Sequence, residues 1–176
     1  MILLLNGAFG IGKTSVARAL THRIPDSLLY DPEIIGIGLQ RLARLGGRGV
    51  DDFQDMSAWR KLTITTLRVA RWKSSNVIVP MAISNRSYLD ELRTGLSRFE
   101  RKILHYCLVA PEEVVHARLR NRGADPVRDR WEFRRASECC ALHTGDEFAE
   151  HVIAANRSVE EIARELATRV EGNERG

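Results

Sequence analysis

The chain is short of several things that would define other kinds of protein. It has three cysteines in 176 residues, Cys107, Cys139 and Cys140. The number is odd, two are adjacent, and there is no CxxC pair or Cys/His spacing suited to zinc. A disulfide framework and a structural zinc site are excluded, and reduced thiols are expected. No apolar run approaches the roughly 20 residues of a membrane-spanning helix. The apolar start Met1-Ile2-Leu3-Leu4-Leu5 turns polar at Asn6 with no basic leader, so no secretory signal is expected. Together these absences predict a soluble, cytoplasmic protein. Internal repeats, low-complexity tracts and linkers are also lacking. The 176 residues, 44% hydrophobic, therefore suit a single domain spanning 1–176 with its own core. Lysine is scarce too, since 23 of the 27 basic residues are arginine and the net charge is +4. No long basic run or nucleic-acid motif accompanies them. The arginine is read as serving a phosphate-rich small-molecule site or as a compositional bias, and nucleic acid is not the expected partner.

What is present is an alternation of short apolar runs with helix-like segments. Strands are expected at residues 2–6, 28–30, 77–80, 103–109 and 151–154. Helices are expected at 14–23, 33–45, 59–72, from Pro111 to about 122, and at 131–142. Gly36 and Gly38 weaken the second helix. Residues 46–49 and 123–130 read as loops, the latter exposed and mobile. Ser158-Val159-Glu160-Glu161 is a capping box that opens a final amphipathic helix. The strands are continuous apolar runs, which fits full burial in an α/β fold with a parallel sheet covered on both faces.

The strongest signal is Gly7-Ala8-Phe9-Gly10-Ile11-Gly12-Lys13-Thr14, which fits G-x-x-x-x-G-K-[ST] at every fixed position. Glycines let the backbone close around phosphate. Successive N–H groups and the N-terminus of the following helix, with Ser15 in its first turn, supply fixed positive potential. Lys13 reaches the β- and γ-phosphates, and Thr14 offers a hydroxyl to magnesium. A strand precedes the motif and a helix follows it, so a nucleoside triphosphate, ATP with Mg2+, is the expected cofactor.

Other residues are more ambiguous. Asp31, after the second strand, lies where open α/β folds bind ligands, and suits a base for an attacking hydroxyl. Asp31-Pro32-Glu33 is equally a good helix start. An Asp serves both purposes only if one oxygen stays uncommitted. The third strand ends Val79-Pro80-Met81 without the acid that often steadies magnesium in P-loop proteins. Arg118 and Arg122, four apart on one helix face, suit a lid over the triphosphate or a solvated surface. Asp51-Asp52-Phe53-Gln54 with Trp59-Arg60 offers acids for hydroxyls and a ring for stacking, or an N-cap acid and a core aromatic.

These segments form a pattern in order. Asn6-Gly7-Ala8-Phe9-Gly10 through Thr14, Tyr30-Asp31-Pro32-Glu33, Asp51-Asp52-Phe53-Gln54 with Trp59, Ile78-Val79-Pro80-Met81, Arg118 to Arg122, and Asn156-Arg157-Ser158 together resemble the tunicamycin-resistance proteins. That family is similar to nucleoside and nucleotide kinases of the P-loop fold. The resemblance spans nearly the whole chain. It implies a three-layer fold with a five-stranded parallel sheet and a small arginine-bearing lid at about 118–135. It further implies Asp31 as catalytic base, Lys13, Arg118 and Arg122 as charge stabilisers, and Asp31, Asp52, Gln54, Trp59 and Arg60 at the substrate. The implied ligand is tunicamycin, a uridine-containing lipid-linked antibiotic, or a related nucleoside. An ATP-dependent phosphotransferase conferring resistance is expected. The alternatives are an ATP-dependent binding protein that sequesters the drug unmodified, and a housekeeping kinase of another metabolite.

Overall fold

The computed structural model describes residues 1–45, 47, 52–145, 148 and 152–172. The first strand, β1 (Ile2–Gly7), leads through the glycine loop into α1 (Lys13–Thr21). After β2 (Ser27–Leu29), α2 (Pro32–Leu45) runs to a one-turn 3₁₀ helix (Phe53–Asp55) and α3 (Ser57–Lys73). Then come β3 (Asn76–Met81), α4 (Arg86–Ser97), β4 (Ile103–Val109), α5 (Glu112–Asn121), α6 (Arg130–His143), β5 (Val152–Ala154) and α7 (Val159–Gly172). The five strands form one sheet in the order β2-β3-β1-β4-β5, and every pairing is parallel. Because β1 is central, the loop after it opens at the carboxyl edge of the sheet, with β3 and β4 on its flanks.

Successive strand residues face opposite sides, and both sides are buried. Leu3, Leu5, Ile78, Tyr106 and Leu108 join Val16, Leu20, Val115, Phe133, Ile162 and Leu166 from α1, α5, α6 and α7. Ile2, Leu4, Val77, Val79 and Cys107 join Leu67, Leu89, Leu92 and Leu96 from α3 and α4. This double burial explains why the strands read as continuous apolar runs, and it makes three layers.

Helix α4 was not anticipated. Its sequence is broken by Arg86, Asp90, Glu91 and Arg93, yet Leu89, Leu92 and Leu96 share one buried face. Asn85 caps it by accepting the Ser87 N–H at 2.9 Å. The capping box at Ser158 forms as expected, with Glu161 Oε2 accepting the Ser158 N–H at 3.0 Å and Ser158 Oγ accepting the Glu161 N–H at 3.3 Å. The exposed 123–130 turn is organised by Asp125, whose Oδ1 accepts the N–H groups of Val127 and Arg128 at 2.8 and 2.9 Å. Of the 46–49 loop, only Gly47 lies among the described residues. Asp51 and His151 lie outside them. The three cysteines are free thiols.

Candidate active site

The glycine loop is shaped by two left-handed glycines. Gly10 has φ 80° and Gly12 has φ 108°. A Cβ on Gly10 would also lie 2.7 Å from Leu119 Cγ, so α5 packs directly on the loop backbone. Asn6, fully buried, fixes the strand end from which the loop departs. Its Oδ1 accepts the N–H groups of Gly7 and Ile83, both at 2.9 Å, and its Nδ2 donates to Ile83 O at 2.9 Å. His143 supports the same carbonyl at 2.7 Å, and burial pushes its imidazole down to about 4, so it is neutral at pH 7.

Lys13 opens α1 and folds back across the loop. Its Nζ donates to Ala8 O at 3.0 Å and lies 5.4 Å from the Phe9 ring centre. Burial lowers its pKa, and Glu33 opposes that shift. Helix α1 carries no acid in its first turn, so its positive end is not neutralised by its own side chains. Thr14 and Ser15 are exposed, and neither hydroxyl is engaged by a described residue.

Asp31 meets the condition set by its two possible roles. Its Oδ1 accepts the Glu33 N–H at 3.0 Å and starts α2, while Oδ2 makes no hydrogen bond to a described residue. Glu33, by sequence a helix-start acid, lies in electrostatic range of Lys13. Its Oε1 is buried without a partner. Burial raises its carboxyl pKa, the Lys13 ammonium opposes this, and the charges of Asp31 and Asp52 add to it. Lys13, Asp31, Glu33 and Asp52 thus share one electrostatic neighbourhood. The signal was the Asp-x-Glu spacing at the edge of β2, which sets both carboxylates at the start of one helix.

Among the remaining sequence candidates, Asp52 lines a cleft of about 530 Å³ together with Gln54, Ser84, Tyr88, Trp131 and Arg135. It caps the 3₁₀ helix through Gln54 N–H at 2.9 Å and pairs with Arg135 at 3.1 Å. Gln54 Nε2 is committed to Ala82 O at 2.9 Å. Trp59 does not offer its ring to a ligand. It is 1% exposed, packs on Phe53 and donates Nε1–H to Pro32 O at 2.9 Å. Arg60 likewise stands behind the cleft, bonded to Glu91 and to Gln54 O, both at 2.6 Å, and lying 4.1 Å over the Tyr88 ring. Both are apolar-rimmed core positions at which burial wins over ligand contact, which their spacing could not reveal.

Arg118 and Arg122 have different placements. Arg118 donates to Ile11 O at 2.6 Å and to Ala155 O at 2.7 Å, so it ties the glycine loop to the segment after β5. Arg122 lies close enough to Lys13 to lower its pKa. Both line a second cleft, about 370 Å³, with Gly10, Gly12, Ser15 and Ser158. Helix α6 meets the loop where Trp131 sets its edge on Phe9, ring centres 5.5 Å apart. No three His, Cys, Asp or Glu side chains cluster at metal-binding spacing among the described residues. Magnesium chemistry fits instead around the open Thr14 hydroxyl and the nearby carboxylates, since Mg2+ takes few protein ligands beside phosphate and water.

A glycine loop on the central strand, followed by a helix with no acid in its first turn, defines a nucleotide-binding P-loop protein of kinase-like architecture. The chain belongs to the AAA domain family, whose model matches residues 2–139. The tunicamycin resistance protein of Deinococcus radiodurans superposes with a TM-score of 0.77 at 29% identity, over 96% of this chain and 94% of that one. This likeness bears out the resemblance carried by the motifs. An unliganded sugar kinase from Janibacter sp. HTCC2649 gives 0.70 at 18% identity, covering 97% and 94%. Shikimate kinase from Acinetobacter baumannii gives 0.65 at 14%, covering 98% and 93%. These last two show the shared fold. Among curated proteins no sequence match was found. No helix among the described residues is long and apolar enough to cross a membrane.

Proposed function

We propose that the chain is an ATP-dependent phosphotransferase acting on a hydroxyl of a small nucleoside-like molecule, with tunicamycin or a related antibiotic as acceptor and resistance as the consequence. The observation that carries this reading is the Asp31 carboxylate, with one oxygen on the α2 backbone and the other uncommitted, within electrostatic range of Lys13. The loop lines the cleft that holds Arg118, Arg122 and Ser158, which suits the nucleotide. The cleft lined by Asp52, Trp131 and Arg135, reached from the loop through the contact of Phe9 with Trp131, suits the acceptor.

In this reading the acceptor oxygen bonds to the γ-phosphorus, the bond to the β-phosphate oxygen breaks, and Asp31 takes the hydroxyl proton. Lys13, the loop N–H groups and Arg122 hold the charge that develops. Arg118 keeps the loop in shape. Thr14 would hold magnesium, with Glu33 as the carboxylate in place of the acid missing from the end of β3, and the ion would supply neutralisation of phosphate charge. ATP as co-substrate fits a cytoplasmic protein.

The acceptor cleft favours a neutral, hydroxylated head. Arg135, its most buried cation, is committed to Asp52, to Ser84 at 2.8 Å and to Glu138 at 2.8 Å. Arg86 is committed to Asp90 at 3.0 Å. Asp52 and Asp55 are the cleft's acceptors beside the rings of Tyr88 and Trp131, and a ligand hydroxyl would share oxygens that already take Gln54 N–H and Arg135 at Asp52 and the Tyr88 hydroxyl at Asp55. A phosphorylated product would carry charge that its target must desolvate, at a cost of several kcal/mol or more.

The second reading, sequestration without transfer, is favoured by the acid-free end of β3. Asp31→Asn separates the two. Phosphotransferase action predicts that the variant binds Mg-ATP normally and loses resistance and transfer. A sequestering protein would keep its resistance.

A further inference from the structure

Helix α3 carries five cations and no acid along its 17 residues. Two of the five are engaged: Arg60 pairs with Glu91 and Arg71 with Glu100, each at 2.6 Å. Lys61, Arg68 and Lys73 are exposed, and their side chains make no hydrogen bond or ion pair to a described residue. A face that keeps one sign of charge without partners holds a standing positive potential.

Lys61 and Arg68 line a cleft of about 450 Å³ between α3 and α4. Arg98, at the end of α4, adds a third cation, equally unpaired among the described residues, and no acid lines the cleft. Ile64 and Phe99 supply its apolar surface. The two helices meet closely here because α4 carries Gly95, where a Cβ would lie 2.4 Å from Ile64 Cδ1. The cleft shares no lining residue with the nucleotide and acceptor clefts, so it is a separate site.

We propose that this cleft binds a small, free organic phosphate with a flat apolar body. Three unpaired cations call for a ligand of at least two negative charges, which a single carboxylate does not carry. Arg68 and Arg98 present guanidinium forks, which match the oxygens of phosphate. Ile64 and Phe99 give the body of the ligand its apolar contact, and the ring of Phe99 favours a flat one. The concave space between two helices selects a small molecule over an extended surface. The inference stands apart from the acceptor reading, since it uses none of the same residues.

The test is calorimetric titration of the full chain with 1-naphthyl phosphate, at saturating Mg-ADP so that the glycine loop is occupied. One further binding event is expected, weakening as salt is raised. Inorganic phosphate should bind this site less tightly, for want of the ring. Lys61→Glu and Arg68→Glu should each weaken naphthyl phosphate about tenfold, since each removes an attraction and adds a repulsion. Both positions are exposed, so the fold should be retained, and unchanged Mg-ADP affinity checks this. Lys73→Glu makes the same charge change on the same helix outside the cleft, and should leave binding unchanged. No further binding event, one that Lys61→Glu and Arg68→Glu leave untouched, or an equal loss in all three variants would overturn the site. Inorganic phosphate bound as tightly as naphthyl phosphate would overturn the flat-bodied ligand. Capture of the chain by phosphatidylserine vesicles, lost in Lys73→Glu as well, would assign the face to a lipid surface and overturn the proposal.

Discussion

Two glycines two residues apart in α2 should respond oppositely to the same substitution. Gly38 is exposed, and a Cβ built there meets nothing within 4 Å. Gly38→Ala should therefore return the helix-propensity difference, about 0.5–1 kcal/mol of added stability. Gly36→Ala gains the same term, but its Cβ would lie 2.4, 2.6 and 2.8 Å from three carbons of the Phe53 ring. That ring is backed by Trp59, 5.1 Å away between centres, which leaves it little room to retreat. Overpacking of this kind costs about 1–3 kcal/mol. With an overlap this deep, the upper half of that range applies, and Gly36→Ala should lose about 1–2.5 kcal/mol net. For a chain of this length, that is a fall in Tm of roughly 2–10 °C, against a rise of about 1–4 °C for Gly38→Ala. Thermal and urea unfolding of both variants measure this directly. Because Phe53 opens the 3₁₀ helix capped by Asp52, Gly36→Ala should also raise the KM of the acceptor. Equal stabilisation by both substitutions would refute the packing of α2 on Phe53 and the shape of the cleft built on it.

Arg118→Ala removes two charge-assisted bonds to Ile11 O and Ala155 O. At about 1.5–3 kcal/mol for a bond of this kind, nucleotide affinity should fall at least tenfold in a fluorescent-ADP titration, and an unchanged Kd would remove Arg118 as the brace of the loop. Glu33→Gln should separate stability from function. Burial raises the Glu33 pKa above its ordinary 4.5, so ionisation is disfavoured in the fold. The stability this group contributes is full below pH 4.5 and is lost as pH rises through the raised folded value. The Gln variant should thus be more stable than the parent at pH 7 and lose that advantage toward pH 4 in denaturant titrations, while phosphate transfer falls. A variant less stable at pH 7 would contradict the burial of that carboxylate.

The glycine loop was legible in the sequence because its chemistry is local: each position in Gly7 to Thr14 is set by backbone reach to phosphate, and the flanking elements are adjacent in the chain. The sheet was legible for a related reason, since strands buried on both faces leave unbroken apolar runs. Helix α4 was hidden by charge at Arg86, Asp90, Glu91 and Arg93, although the parallel crossover from β3 to β4 requires a connection of its kind. At the site, what the sequence withheld was direction. Trp59 and Arg60 have the chemistry of ligand contacts, but long-range packing against Pro32 O, Glu91 and Tyr88 turns them into supports. Arg118 has the chemistry of a phosphate ligand and spends its donors on two carbonyls. Glu33 looked like a helix-start acid because its proximity to Lys13 arises only when β2 and the glycine loop meet at the sheet edge.

The central claim, transfer of phosphate to a nucleoside-like acceptor, is tested most directly by the mass of the acceptor itself. Purified protein is incubated with tunicamycin and Mg-ATP beside a Lys13→Ala control, and the drug is recovered for mass spectrometry. The account predicts a gain of one phosphoryl group with the intact protein and none with the control. An unchanged drug mass, with ATP binding demonstrated in the same preparation, would contradict transfer to this acceptor.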